Sequence, residues 1–283
     1  METPYSDEIT FAVFILGVIC CFLALITIHR ATALQNSFGV LCKWQMYADI
    51  AQLTLITSYC LLSEKVAPGS HALPSIIACQ AVETLYFFSG ELHVLMAVHR
   101  FVFILSPKRS KRWNESTTSL ILFCTVTSIA RILLMTALDS GMYWVYDRPT
   151  ALWFITETPM TEFYEMYLEL GWSIAEMVSI LVLDGITLTQ LIIWRSEISK
   201  ERRQNRHVEA RLVLQSFCQC VPTASITILY FLVFPNIESQ FIQFMCSSFV
   251  LGFGNVLDAI CIIAFHLRPK LFRKNNGIEV TVS

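Results

Sequence analysis

The sequence places charged residues within long apolar stretches, and these are its first candidates for chemistry. The segment His99-Arg100-Phe101 ends one such stretch and precedes a basic segment. An arginine in hydrocarbon is costly unless it pairs or extends its guanidinium to the membrane surface. We therefore expect Arg100 to lie at the membrane interface, as a switch that contacts an intracellular partner. The alternative is an arginine that only anchors its helix.

Five more ionisable residues lie deeper in the apolar stretches, where each is costly unless it is paired or hydrated. At about 1.5 Å per helical residue, Glu83 lies roughly 25 Å from Arg100 along one helix. Arg131 lies at a similar height on the next helix, so we expect it to pair with Glu83, either to contact a ligand or only to bridge the two helices. The five ligand-binding candidates are Glu83, Glu91, His93, Arg131 and Glu176.

A third polar group lies in the second and the last apolar stretches. Asp49, Asn255 and Asp258 are expected at comparable depth, where a hydrated network would lower the cost of burying two carboxylates. Such a network would hold either a cation or water alone. The sequence favours the network and leaves the cation open.

Several classes of protein are excluded by the residues that are missing. The last apolar stretch, 241–266, has no lysine that would hold retinal as a Schiff base. The sequence has no nucleophile elbow and no His-Glu-x-x-His site, so we expect no enzyme, no metal and no cofactor. A net charge of -2 gives no reason to expect a nucleic-acid partner.

Membrane-spanning helices must position these residues. The 283 residues are 55% hydrophobic and only 15% charged, which is typical of a membrane protein. About 20 apolar residues of helix cross a bilayer core about 30 Å thick. Seven stretches qualify, which predicts an all-α bundle of seven transmembrane helices, formed by residues 1–283 as one domain with a short tail at 267–283. The stretches are residues 9–28, 40–62, 73–105, 117–138, 171–194, 212–234 and 241–266.

The distribution of lysine and arginine predicts the orientation, because short loops rich in these residues stay in the cytoplasm. Basic residues concentrate in the segments 106–116 and 195–211 and in the tail, whereas the opposite side contains only Lys65 and Arg148. We therefore expect the N-terminus outside and the C-terminus in the cytoplasm. In this orientation Arg202 and Arg203 join His99, Arg100 and Phe101 as candidates for contact with an intracellular partner.

The longest outer segment, residues 139–170, is rich in aromatic residues and contains no cysteine. Its aromatic residues would form either an interfacial belt or a lid over a ligand cavity, and the sequence favours neither. Because the segment lacks cysteine, Cys79 at the outer end of the third helix has no disulfide partner there.

Five short segments, taken in their order and spacing, resemble one known family. They are residues 36–42 (NSFGVLC), 99–101 (HRF), 183–187 (LDGIT), 215–219 (QSFCQ) and 257–260 (LDAI). The sequence resembles the nematode serpentine chemoreceptors, most closely their class X branch within the rhodopsin-like receptors. The resemblance implies a sensory receptor in the plasma membrane, of sensory neurons or their cilia. It also implies that the inner ends of the helices couple an external small molecule to a heterotrimeric G protein.

The leading hypothesis is therefore a G-protein-coupled chemoreceptor, with a G protein, a small external ligand and the lipid bilayer as its partners. One alternative is a ligand-gated cation channel of the seven-helix chemoreceptor type, whose inverted orientation the loop charges oppose. The other is a receptor-like protein that has lost coupling, because His99 stands where the family has asparagine and segment 139–170 lacks the two cysteines of the family pattern.

Overall fold

The computed structural model describes residues 5–31, 34–66, 72–105, 107–147, 150–193 and 200–266, with side chains except at 61–66, 107–112, 114 and 200–210. Seven long helices make up most of this part of the chain. The tail expected at 267–283 lies outside the described residues. The first four helices are α1 (Ser6–Arg30), α2 (Ser37–Val66), α3 (Leu73–Leu105) and α4 (Pro107–Leu138).

The fifth helix, α5, spans Thr161–Ile193 and is wound in two ways. After a first α-helical turn it continues as a π-helix over Tyr164–Glu169, and the regular helix Leu170–Ile193 follows. It begins at Thr161, whereas the hydropathy of the sequence placed its start at 171. The extra turns are richer in polar residues than the rest of the helix, which is why the apolar pattern does not include them.

The last two helices also change winding. The sixth, α6, begins with Lys200–Ile228 and continues through a π-helical segment, Leu229–Val233, into a 3-10 turn. The seventh, α7, spans Gln240–His266 and contains a π-helical segment at Met245–Phe249. The three π-helical segments lie at the same end of the bundle, because α5 and α7 begin there and α6 ends there.

Six of the seven described helices are long and apolar enough to cross a membrane. The exception is α2, whose polar residues Gln45, Asp49 and Gln52 are buried inside the protein. A helix with buried polar side chains can cross a bilayer without exposing them to lipid. The seven helices thus form the all-α bundle that the sequence predicts.

The third helix lies at the centre of this bundle. It packs against α2, α4, α5 and α6, while α1 packs against α2 and α7. Peripheral helices expose large apolar side chains on their outer faces, as α1 does with Phe11, Ile19 and Phe22. In a protein that spans a membrane, such faces are the ones that contact lipid.

A β-hairpin, which the sequence did not predict, closes one end of the bundle. Its strands, β1 (Trp144–Asp147) and β2 (Leu152–Ile155), pair in antiparallel register, with Trp144 opposite Ile155. Trp144, Tyr146 and Trp153 are buried against α2, α3 and α7. The hairpin therefore belongs to the packed core and positions aromatic rings over the helix ends.

Candidate functional site

Arg100 is the centre of a polar cluster at the end of the bundle where α3 finishes. We call this end the inner end, and the end where α3 begins the outer end, after the orientation expected from the loop charges. The guanidinium donates to Asp184 Oδ1 from Nε at 3.1 Å and from Nη2 at 3.0 Å, and Nη2 also donates to Asp184 Oδ2 at 3.1 Å. Nη2 donates in addition to the Ser216 hydroxyl. One side chain of α3 thus bridges α5 and α6.

The position of Arg100 differs from the sequence-based expectation of an interfacial arginine. Its side chain is only 4% exposed, and its guanidinium carbon lies 5.3 Å from the centre of the Phe38 ring. The charge is compatible with this burial because Asp184 neutralises it and supplies two acceptor oxygens. In this arrangement Arg100 holds helices together and is not available to an intracellular partner.

His99 ties α3 to two further helices at the same level. Its Nε2 lies 2.6 Å from the hydroxyl of Ser37, which is the first residue of α2. Its ring packs edge to face against Trp113 of α4, with centroids 5.7 Å apart. Phe101, the third residue of the segment, is half-buried. The histidine in place of the family's asparagine therefore has its own partners.

The inner end is closed by a contact between α6 and α7. His266 Nε2 lies 2.7 Å from Gln215 Oε1, and Gln215 Nε2 donates to Gln219 Oε1 at 3.1 Å. Gln215 precedes Ser216, the residue that contacts Arg100. All the helices from α2 to α7 therefore contribute a side chain to one connected region.

At the outer end, the helices and the hairpin enclose a cavity with about 550 Å³ of empty space, including the part that is open to solvent. Its wall combines aromatic and aliphatic side chains with a few polar groups, as the walls of small-molecule sites do. A second cavity, with about 410 Å³ of empty space counted in the same way, lies deeper in the bundle. Tyr86, Ile226 and Leu251 line both cavities and separate them.

The segments that carry the family resemblance meet in this structure. Ser37, His99, Arg100, Asp184 and Ser216 come from four of the five segments, and they form the contacts of the inner end. A comparison with protein-family models found that the model described as serpentine type 7TM GPCR chemoreceptor Srx matches residues 11–266. The chain belongs to the Srx family. A comparison with curated proteins found no match.

Membership in the Srx family makes the chain a multi-pass membrane protein of a chemoreceptor family, one of receptors and not of enzymes. The five ligand-binding candidates of this Srx protein have different positions in the structure. Glu83 lines the outer cavity and Glu176 the deeper one. Glu91 accepts a hydrogen bond from the Thr127 hydroxyl of α4, and His93 lies farther from the outer end, 3.1 Å from Asp258 Oδ2. The candidates therefore do not form one site.

The ion pair expected between Glu83 and Arg131 is not formed. Arg131 Nη1 instead lies 3.3 Å from Glu176 Oε1, and the guanidinium carbon lies 3.5 Å from the centre of the Phe87 ring. Trp172 Nε1 also donates to Glu176 Oε1, at 2.5 Å. Glu83 and Glu176 both lie at a height that Arg131 can reach. The rotation of α5 about its axis turns Glu176 towards Arg131, so the ion pair forms with Glu176. Glu83 is thereby left without this partner.

The polar residues expected to form a network in the middle of the bundle each find a different partner. Gln45 Nε2 donates to Asp49 Oδ1 at 3.0 Å, and Asn255 Nδ2 donates to Gln52 Oε1 at 3.0 Å. Asp258 faces His93, as described above. Among the described residues, no group of three or more His, Cys, Asp or Glu side chains could hold a metal ion.

The aromatic residues of segment 139–170 divide between the two roles proposed from the sequence. Trp144 and Trp153 line the outer cavity from the hairpin and so belong to a lid. Phe163 and Tyr167 stack on each other and are exposed on α5, as expected for an interfacial belt. The hydroxyl of Ser248 on α7 donates to the carbonyl of Ala151 at 2.5 Å and so attaches the hairpin to the bundle.

Sequence reasoning missed three residues of these sites. Asp184 and Ser216 lie in segments that carried the resemblance, but nothing in the sequence indicated that they face Arg100. Glu169 lines the outer cavity from the π-helical part of α5, which the sequence assigned to a loop. The sequence did contain a signal for Glu169, because it is an acid between apolar residues just before the predicted span 171–194. Arg202 and Arg203 are in the first turn of α6, and their side chains are not among those that the structure describes.

Proposed function

We propose that the protein is a G-protein-coupled chemoreceptor, which binds an external small molecule in the outer cavity and couples to a heterotrimeric G protein through its inner end. The observation that carries this proposal is the bridge from Arg100 to Asp184 and Ser216. It joins the three helices α3, α5 and α6 at a point where their separation would open a groove. The plasma membrane of a sensory neuron or its cilium is the corresponding location.

The distance between the two regions supports a transmitted signal. Glu83, in the cavity wall, and Arg100 are on the same helix and are separated by about 25 Å along its axis. A ligand shifts the receptor towards an active state only by binding that state more tightly. The helices that line the cavity with α3 are α5, α6 and α7, and α5 and α6 also hold Arg100. A ligand that moves them at the outer end therefore acts on the bridge as well.

The bridge has the chemistry of a switch because its partners can be exchanged. The guanidinium of Arg100 has five N–H donors and keeps its charge, so it can leave Asp184 for the carbonyl oxygens of a bound partner. The hydrogen bonds that Arg100 gains from the partner then offset the ion pair with Asp184 that it loses. In the active state we expect Arg100 to face the G protein, together with Arg202 and Arg203.

The test removes the charges of the bridge singly and together. Arg100→Gln or Asp184→Asn alone leaves one buried charge without its partner, which we expect to destabilise the receptor by about 3 kcal/mol or more and to reduce its amount at the cell surface. The double variant contains neither charge and should recover surface expression. It should not recover nucleotide exchange on the G protein, because Arg100 is absent.

The matched control is the double variant Arg131→Gln/Glu176→Gln, which neutralises the ion pair of the outer half. At equal surface expression it should retain the basal nucleotide exchange of the wild type. Full exchange by the Arg100→Gln/Asp184→Asn receptor would remove the central residue from the coupling proposal. An N-terminal tag that labels only after permeabilisation would contradict the orientation and favour a channel.

A further inference from the structure

The wall of the outer cavity contains two buried acidic groups without a counterion. Glu83 and Glu169 line it from α3 and α5, and they are only 7% and 4% exposed. Glu83 Oε1 and Glu169 Oε2 have no hydrogen-bond partner within the described part of the chain. The two carboxylates are close enough for their charges to interact. Buried carboxylate oxygens usually have a partner. Asp49, Glu91 and Asp258 each have such an oxygen as well, but among the described residues only Glu83 and Glu169 place theirs in the wall of the outer cavity, where a ligand can reach them.

The nearest cation does not supply that partner. The charge of Arg131 acts on both carboxylates, but its guanidinium is engaged by Glu176 and packed over Phe87. No lysine, arginine or histidine is among the described residues that line the outer cavity. A positive charge brought in from outside would therefore meet two acidic groups and no basic one.

The remaining walls are aromatic. Trp144 and Trp153 cover the cavity from the hairpin, and Tyr86, Tyr230 and Phe231 line its sides. The faces of such rings attract a cation placed within about 6 Å of their centres, and indole attracts it most. The buried Nε1 groups of both tryptophans also have no acceptor within the described residues. They could donate to an oxygen of the same ligand.

We infer that the outer cavity takes a ligand with a cationic nitrogen, a protonated amine or a quaternary ammonium, that also carries a hydrogen-bond acceptor. The carboxylates of Glu83 and Glu169 neutralise the nitrogen, and the aromatic rings surround its alkyl groups. This inference rests on the proposed receptor function only in taking the cavity as the ligand site. A cation brings the counterion that lets the two buried acids ionise, which neither an anionic nor a neutral ligand supplies.

The experiment compares two probes that differ in charge and hardly in shape. Choline and 3,3-dimethylbutan-1-ol have the same hydroxyl and the same branched end, with nitrogen in one and carbon in the other. Each is titrated against the purified full-length receptor in nanodiscs, with the thermal unfolding midpoint as the readout. We expect a saturable increase with choline, and at least tenfold weaker binding of the neutral alcohol.

Variants then assign the effect to the two acids. Glu83→Gln and Glu169→Gln keep the shape of each side chain and remove its charge, and each should weaken choline binding at least fivefold. The binding of the neutral alcohol should stay within twofold. The control is Glu162→Gln, an exposed acid on the first turn of the same helix that does not line the cavity. It should leave choline binding within twofold of the wild type.

Equal binding of both probes, or no response to choline, would overturn the inference. So would an equal loss of choline binding in all three variants, since that would indicate only the general negative charge of this end. If a variant fails to fold, the comparison of the two probes on the wild type still decides whether the cavity prefers a cation. No G protein is present, so a failure here leaves the coupling proposal intact, and a failure of coupling leaves this result intact.

Discussion

The inner and outer ends of the bundle use buried charge in opposite ways. At the inner end, Arg100 is matched by Asp184 and Ser216. At the outer end, Glu83 and Glu169 have carboxylate oxygens without a partner in the described residues. The ion pair of a switch is satisfied in the resting arrangement, whereas acids that bind a ligand leave oxygen atoms for the ligand to satisfy. The contrast separates a switch from a binding site within one bundle.

The backbone shows the same contrast. Each of α5, α6 and α7 has a π-helical segment at the outer end, and these segments contribute Glu169, Tyr230 and Ser247 to the cavity wall. An inserted π-turn widens the helix and rotates the following side chains, and such turns are frequent at functional sites. No π-helical segment occurs in the described helices at the inner end. The cavity thus depends on irregular winding that the inner end does not use.

The largest effect should come from the tight backbone contact at the inner end. A Cβ atom on Gly39 would lie 1.7 Å from the carbonyl oxygen of Leu34, so Gly39→Ala must displace backbone. We expect a loss of several kcal/mol and almost no receptor at the cell surface. Gly185→Ala is the control, because a Cβ there meets nothing within 4 Å. Equal surface expression of the two variants would contradict this close contact at the start of α2.

The next effect should come from loosening the bridge without breaking its ion pair. Ser216→Ala removes the contact of Arg100 with α6 and leaves Asp184 in place, so α6 should move outward more readily. We expect basal nucleotide exchange to increase about threefold, since a hydrogen bond to a charged group contributes about 1.5 to 3 kcal/mol and part of that is recovered elsewhere.

Ser225→Ala is the control for this change, because its hydroxyl bonds only to the Val221 carbonyl of its own helix. It should leave the exchange rate unchanged. A rate that is unchanged in Ser216→Ala as well would mean that the α6 contact plays no part in holding the resting state.

A smaller effect is expected at the lid. Ser248→Ala removes the hydrogen bond that joins α7 to Ala151 in the hairpin, which contributes about 1 kcal/mol. Amide hydrogen exchange in β1 and β2 should become about fivefold faster, because the hairpin opens more often. In the control, Ser247→Ala, the lost hydroxyl bonds only to Gln243 of its own helix. The same acceleration in both variants would show that the hairpin is held by other contacts.

The smallest effect should follow Cys79→Ser. Cys79 is buried beside the hairpin and carries a free thiol, and no cysteine in segment 139–170 offers it a partner. The change replaces sulfur by oxygen in a packed site without breaking a covalent link, so surface expression should stay near the wild-type amount. A collapse of expression on a quantitative surface-labelling assay would reveal a disulfide, and with it a more rigid outer end.

The class of the protein and the height of its charged residues along the helices follow from local features of the sequence. Apolar length and the spacing of residues along one helix are local properties, so the expected third helix at 73–105 and the observed Leu73–Leu105 agree. For the same reason the separation of Glu83 from Arg100 followed from counting residues along α3. The family resemblance depended on short local segments as well.

Which charges meet depends on how the helices pack against one another. Arg131 had two acids within its reach along the membrane normal, and it pairs with Glu176 because α5 turns that residue towards it. Asp184 reaches Arg100 for the same reason. Successive residues on a helix point about 100° apart, so a small rotation of one helix exchanges partners without changing any height or hydropathy. Rotation is set by the packing of all seven helices together, and no local pattern of residues contains it.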